Sequence, residues 1–413
     1  MSAAAEAARS DADRSRRLAG AVRRDARLMH AVHPIAYPLL DAVPGPVRRV
    51  PRLGVVVKDA GLVRRVLLDG TGFSKQGPGA SSDLWTPVLG PRVLLNMHGD
   101  EHRELRRRLA PIFAPAFVEQ LVERTLGPGA AELERRLLAG EPVDLAAHAR
   151  QAASEAIALL VGLDRDAVDE RLFREIAGIT GMVRLTRPRL TPAQVRRART
   201  TLDRLADHAS AAYRGDETTV PGRLRELGLT EDEALAAVGA FVLTGTETVA
   251  AAIPRIAALL IDSETLPELT AAPDADAATE RAIAEGLRWT TPTPVMVRST
   301  LEPRTVGDVA VRRGERIIIA TYAANRGAGG FEPAADAAAG LKQLWFGAGA
   351  HFCIGAPLAM AELRLALTTL RRVDAQRPLT VVRRTPARRQ LLPGYASLVL
   401  QAAPWVSAPG KQP

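Results

Sequence analysis

The chain has 413 residues, 47% of them hydrophobic, enough to bury one large core or two ordinary ones. Its 55 basic residues outnumber 46 acidic ones for a net charge of +9, and only Lys58, Lys75, Lys342 and Lys411 are lysines. A single cysteine, Cys353, excludes an internal disulfide and a multi-thiolate zinc site, and fits a reducing, cytoplasmic setting. The arginines are spread along helical segments with few aromatics between them to stack on bases. We therefore expect no nucleic-acid partner, and a basic face suited to docking an acidic protein.

Residues 1–32 are interrupted by charge every few positions. They hold neither a short apolar signal core nor a membrane-spanning run, and Glu6, Asp11, Asp13 and Asp25 argue against a mitochondrial transit peptide. This segment reads as a charged, helical N-terminal extension with no membrane anchor, ahead of a domain over 33–413. Next come a strand at 53–57 ("LGVVV") and a Gly/Pro/Ser-rich loop at 75–96 that carries Trp85. Apolar residues three or four apart predict helices over 116–161, 164–183, 193–214 and 231–261. A proline-broken, arginine-rich connection fills 184–192. Strands are expected at 305–311, 316–322 and 397–401, with Gly314 as a hairpin turn between the first two. No repeat or long linker divides the chain, so the expectation is one mainly α domain with small β-sheets.

The cysteine sits in "FGAGAHFCIGAPLA", residues 346–359. Gly347, Gly349 and Gly355 let main chain approach a flat object closely, and Pro357 suits the first turn of the helix that follows. Cys353 thus lies at a helix N-terminus, where free amides favour the thiolate. Such a thiolate is a nucleophile or a metal ligand. A nucleophile needs a base, and His351, two residues away, would face the other side of an extended loop. A ligand needs only the sulfur, amides to temper its charge, and room for a planar cofactor. The ligand reading is better satisfied.

The stretch resembles the haem-binding loop of the cytochrome P450 superfamily, matching at Phe346, Gly347, Gly349, His351, Cys353 and Gly355. The resemblance implies the P450 fold, haem (heme b, iron protoporphyrin IX) with Cys353 as its iron ligand, and His351 on a propionate. Thiolate ligation pushes electron density onto iron and favours O–O cleavage. Further segments match in order. "HRELR" at 102–106 resembles the family's His-x-x-x-Arg, implying propionate contacts from His102 and Arg106. "EGLR" at 285–288 resembles the structural Glu-x-x-Arg, and Arg298 stands at a propionate-binding place. "TGTET" at 244–248 resembles the oxygen-side groove, with Gly245, Glu247 and Thr248 matching and Thr244 where Ala or Gly is usual. Its threonines also suggest a local helix distortion.

By the same resemblance, Thr248 stabilises iron-bound dioxygen species and Glu247 helps deliver protons. The likeness spans about residues 40–401. One departure concerns "ANRGAGG" from Ala324, where Gly327 and Ala328 replace Asp-Pro and the arginine that normally follows is missing, leaving Lys342 or nothing to brace the Glu285–Arg288 pair.

The implied function is a haem-thiolate monooxygenase of secondary metabolism, using O2 and electrons from a separate ferredoxin and ferredoxin reductase. It would hydroxylate, epoxidise or oxidatively couple a mid-sized, mostly apolar small molecule. By family position the pocket draws on 77–95, 170–200, Phe241, Leu243, Thr244, Val295, Met296 and 394–397, with Ser81, Ser82, Asp83 and Thr244 as polar anchors. Two alternatives stand beside it: a peroxide-driven haem peroxygenase, and a non-enzymatic haem sensor or nucleic-acid-binding protein.

Overall fold

The computed structural model describes residues 3–163, 170–183, 189–215, 218–333, 343–388 and 390–404. Fifteen helices are described: α1 (Ala3–Val32), α2 (Ala36–Ala42), α3 (Ala60–Leu68), α4 (Ser81–Leu89), α5 (Gly99–Leu109), α6 (Pro115–Leu138), α7 (Leu145–Val161), α8 (Glu170–Thr180), α9 (Pro192–Arg214), α10 (Val220–Glu226), α11 (Glu231–Asp262), α12 (Leu266–Ala271), α13 (Ala275–Thr290), α14 (Thr321–Arg326) and α15 (Ala356–Gln376). Their ends follow from sequence. Thr191 with Gln194, and Thr230 with Glu233, form reciprocal capping boxes that start α9 and α11. Asp144 accepts the Ala146 and Ala147 amides to start α7, and Gly162, at φ 72°, ends it.

Ten strands form three small sheets. β1 (Val47–Val50), β2 (Gly54–Val57), β8 (Arg316–Ile319), β5 (Met296–Thr300) and β3 (Phe73–Ser74) lie side by side in that order. β2 runs parallel to β8, and β8 antiparallel to β5 with Arg298 opposite Ile317. The unbroken runs Val55–Val57 and Ile317–Ile319 are buried throughout, as strands covered on both faces require. β4 (Val143–Asp144), β10 (Tyr395–Ala402) and β9 (Leu379–Pro386) form a second sheet, and β6 (Arg304–Val306) pairs with β7 (Val309–Val311).

Several local expectations change. The predicted helix over 116–161 is two helices, because Gly140, at φ 81°, and Pro142 break it before β4. The predicted loop at 75–96 contains α4. The hairpin turns at Gly307, not Gly314, since β7 and β8 belong to different sheets. Residues 321–322, predicted as strand, begin α14.

α11 runs through the middle. Against its C-terminal half pack α1, α13 and α15, through Leu18, Ala21, Leu28, Ile256, Ile283 and Leu363. Against its N-terminal half pack α5, α7, α8, α9 and α10, through Leu105, Ile157, Ile179, Leu205 and Leu224. α11 is the only helix among the described residues long and apolar enough to cross a membrane, and here it is the core helix. α1 is anchored by charge as well. Asp25 accepts from Arg255 of α11 at 2.9 and 3.0 Å and from Arg326 of α14 at 2.7 Å, in a site that leaves Asp25 and Arg255 almost fully buried.

Candidate haem-thiolate site

Residues 344–355 form a tight loop between the sheet side and α15. The Gly347 amide donates to Leu344 O, Phe352 to Gly349 O and Cys353 to Phe346 O, at 2.9–3.0 Å. Gly349 has φ 70°, and a Cβ there would lie 2.9 Å from Leu67 O, so no other residue fits without displacing α3. Phe346 packs on the core formed with α15. The Gly355 and Ala356 amides face the Cys353 sulfur and pull its pKa down, as the helix N-terminus predicts. Burial among protein groups outweighs them, however, so the free thiol titrates above its ordinary value, opposite to the expectation from the helix end alone. The cysteine is nonetheless accessible. A side chain both surrounded and accessible opens into an internal cleft.

The other wall of this cleft is α11. Thr244 and Gly245 are exposed in the middle of a helix otherwise largely buried, and a Cβ on Gly245 would meet nothing within 4 Å. The Phe113 ring links the two walls: it meets Phe241, one turn before Gly245, edge-on at 5.1 Å, and lies 3.8 Å from the Cβ position of Gly355. α11 passes this point unbroken, unlike the distortion expected. Thr244, Thr246 and Thr248 turn their hydroxyls back onto helix carbonyls, Thr248 onto Gly245 O at 3.1 Å and Thr244 O at 3.3 Å. Glu247 and Thr248 are not brought into contact. Glu247 is buried and points to Thr180 of α8, with one carboxylate oxygen unpartnered, and burial raises its pKa to about 7.

A cationic cluster borders the cleft. Arg298 is buried, and its recorded hydrogen bond goes to the carbonyl of its neighbour Val297. Burial alone lowers its pKa to about 10. Arg106, half-buried, feels the Cys353 sulfur and has no carboxylate partner among the described residues. Lys75 lies within electrostatic reach of both arginines and of Cys353, and burial with the arginine charges lowers its pKa to about 7. Lys75 and His98 were not anticipated. No motif spacing marks Lys75, and His98 stands just outside the His102–Arg106 pattern.

The histidines form a chain. His98 Nε2 lies 2.7 Å from Gly70 O, His98 Nδ1 3.0 Å from His351 Nε2, and His351 Nδ1 3.1 Å from His102 Nε2. A carbonyl can only accept, so in the neutral chain each Nε2 donates, and His102 Nδ1 is left buried without a partner. Burial and the Lys75 charge hold His351 well below its usual range, and burial with Lys75 and Arg106 brings His102 down to about 4.

The Glu285–Arg288 pair is fully buried, joined by two bonds of 2.6 Å. Among the described residues, the further partners of this pair are backbone groups. Arg288 donates to Asn325 O, Gly329 O and Gly330 O, and Glu285 accepts the Glu332 amide at 2.7 Å. Lys342 lies outside the described residues. Among the expected polar anchors, Asp83 is already bound to Arg189 and the Gly79 amide; of the expected pocket residues, Leu243 is core. Ser81 Oγ is buried without a partner.

A planar dicarboxylate cofactor with one axial thiolate fits these residues: an accessible sulfur, an open helix face across from it, and donors lacking carboxylates beside it. No cluster of three or more metal-ligating side chains occurs among the described residues.

No protein-family model matches the chain. The C-19 steroid 1alpha-hydroxylase of Sorangium cellulosum is 30% identical over 289 residues, 67% of this chain and 72% of the relative. The mycinamicin IV hydroxylase/epoxidase of Micromonospora griseorubida is 30% identical over 325 residues, 75% and 79% of the two chains. Among solved structures, a mutant of P450 EryK in complex with erythromycin B superposes with a TM-score of 0.71 at 26% identity, over 90% of this chain and 98% of that one. Sequence likeness over most of both chains, shared fold and the cysteine cleft agree: the chain belongs to the cytochrome P450 superfamily, in its bacterial type, and is a P450 monooxygenase.

Proposed function

We propose that the chain binds haem b with Cys353 on the iron, and oxidises a mid-sized, largely apolar product of secondary metabolism. The observation that carries the cofactor reading is the accessible lone sulfur facing a group of cations without carboxylates. Arg106, Arg298 and Lys75 would receive the two propionates, since charge-assisted bonds to carboxylate are the partners these cations lack among the described residues, and His102 and His351 would join them by turning an Nε2–H out of the histidine chain. Phe346 and Gly355 would flank the ring and sulfur, and Gly245 would leave space on the opposite face. Bound there, haem would supply one-electron chemistry and oxygen activation, with Cys353 holding the iron.

The chain's own contribution on the oxygen side is the Thr248 hydroxyl and the Glu247 carboxyl, an acid whose raised pKa lets it hold a proton near neutrality. α4 is tied to the segment before α9 by the Asp83–Arg189 pair, and to α9 itself by Arg199 Nε, which donates to Pro87 O at 2.8 Å. Leu84, Leu89, Leu190 and Val195 are half-buried against the core there and would line an entrance. Relatives named for steroid and macrolide-type substrates favour a bulky apolar molecule. Electrons would come from a separate ferredoxin and its reductase, docking near exposed Leu68, which adjoins Gly349 of the cysteine loop, and exposed Arg65 one turn earlier on α3.

The test is the carbon monoxide complex of the reduced protein. The red-shifted absorbance of thiolate ligation is expected in the wild type and lost in Cys353→Ala. An unchanged spectrum in that variant refutes the assignment. A panel titration of the haem band with steroids and macrolides then sorts substrate classes.

A further inference from the structure

The two oxygens of Glu247 are treated unequally. Oε2 is in a short hydrogen bond with the hydroxyl of Thr180, and Oε1 is buried with no partner. Thr180 ends α8, is itself buried, and its Oγ1 also lies 2.9 Å from Ala177 O. A hydroxyl has one proton, so it cannot donate to both at once. With Glu247 ionised, Thr180 donates to Oε2, and Ala177 O keeps the Gly181 amide at 3.0 Å. With Glu247 protonated, Oε2–H donates to Thr180 Oγ1, and Thr180 donates to Ala177 O. Both arrangements bond every available proton.

We propose that Thr180 is a positioning residue whose hydroxyl reverses its hydrogen-bond direction each time Glu247 gains or loses a proton, holding the acid in one place through both states. This rests on the acid role given to Glu247 above. The step moves one proton and no electron: the Oε2–H bond breaks and the proton passes to solvent in the cleft, Thr180 O–H swings from Ala177 O to the carboxylate, and a proton taken back from solvent reverses the change.

Among the described residues, Thr180 is the only specific partner of Glu247. Of the charged groups on elements packed against α11, Glu155 of α7 is held by Gln151 at 3.3 Å. His148 of α7 interacts with Glu155 and Arg136. Glu175 of α8 is engaged by Arg171 and by Arg204 of α9. On α4, Asp83 pairs with Arg189. None of these bears on Glu247, whose proton affinity is raised by burial and lowered by Thr180.

The sign follows. A carboxyl with a raised folded pKa adds stability at low pH, and that stability declines as pH climbs from the unfolded value of 4.5 to about 7. Thr180→Val keeps the shape and removes a charge-assisted bond from the ionised form and a weaker neutral one from the protonated form, so the midpoint moves up by the difference, about one pH unit or somewhat less. Thr180→Ser keeps the hydroxyl and should keep the wild-type midpoint.

The experiment is an infrared pH titration of the ferric holoenzyme, following the protonated-carboxyl band that Glu247→Gln removes, beside the pH profile of product formed per electron. Wild type and Thr180→Ser should share a midpoint near 7. In Thr180→Val, both the band and the alkaline limb of the profile should move up together. An unmoved midpoint in Thr180→Val, an equal shift in Thr180→Ser, or no titrating band assignable to Glu247 overturns the inference. The reduced carbon monoxide spectrum separates the two readings. Its failure in wild type refutes the haem assignment, whereas a normal spectrum with an unmoved midpoint refutes only the role of Thr180.

Discussion

Asp25→Ala is the sharpest test of how the N-terminal helix is held. The substitution removes the acceptor of three bonds, two from Arg255 at 2.9 and 3.0 Å and one from Arg326 at 2.7 Å. Arg255 then keeps its 2.8 Å bond to Thr290 O but stays a fully buried guanidinium without a counter-charge. Breaking a buried pair from one side costs about 3–5 kcal/mol, because the remaining ion is left desolvated. Asp25→Leu with Arg255→Met removes the fully buried pair and should recover most of the loss, since Arg326, partly exposed to solvent, keeps its 2.9 Å bond to Trp289 O. Guanidinium unfolding followed by tryptophan fluorescence and by far-ultraviolet circular dichroism measures this, a stability being read only where the two probes coincide. Trp289 is a local reporter, since its ring lies 5.0 Å from the Arg326 guanidinium. A single variant with the wild-type midpoint, or a double variant no better than the single, would refute the reasoning.

Lys75→Met should weaken haem retention about tenfold or more, the worth of one charge-assisted bond, as measured by haem transfer to an acceptor apoprotein. Thr248→Ala should leave haem content intact and lower product formed per electron, with the deficit recovered as hydrogen peroxide. Equal coupling in the variant contradicts the role given to that hydroxyl. Gly349→Val forces a branched side chain to φ 70° and against Leu67 O, and should lose haem while keeping most of its helical circular dichroism signal.

The parts of the site legible in sequence are those fixed by short spacing. The cysteine loop, the Glu285–Arg288 pair and the Gly245–Thr248 run each lie within one turn or loop, so residue identity and geometry travel together. Composition misled where a tertiary choice decides. Gly, Pro and Ser at 75–96 concealed α4, and equal turn signals at Gly307 and Gly314 hid which one closes the hairpin. Partners far apart in the chain left no local mark. Thr180 and Glu247 are 67 residues apart, and His98 and His351 are 253 apart. The low thiol pKa expected at a helix end was reversed because burial, a property of the whole fold, outweighs two amides.

Arg288 grips Asn325, Gly329 and Gly330 by their carbonyl oxygens, which every amino acid possesses. Such a grip senses where the chain passes and is blind to which residue is there. The stretch it holds can therefore change its side chains without loosening this grip, so long as its path is kept.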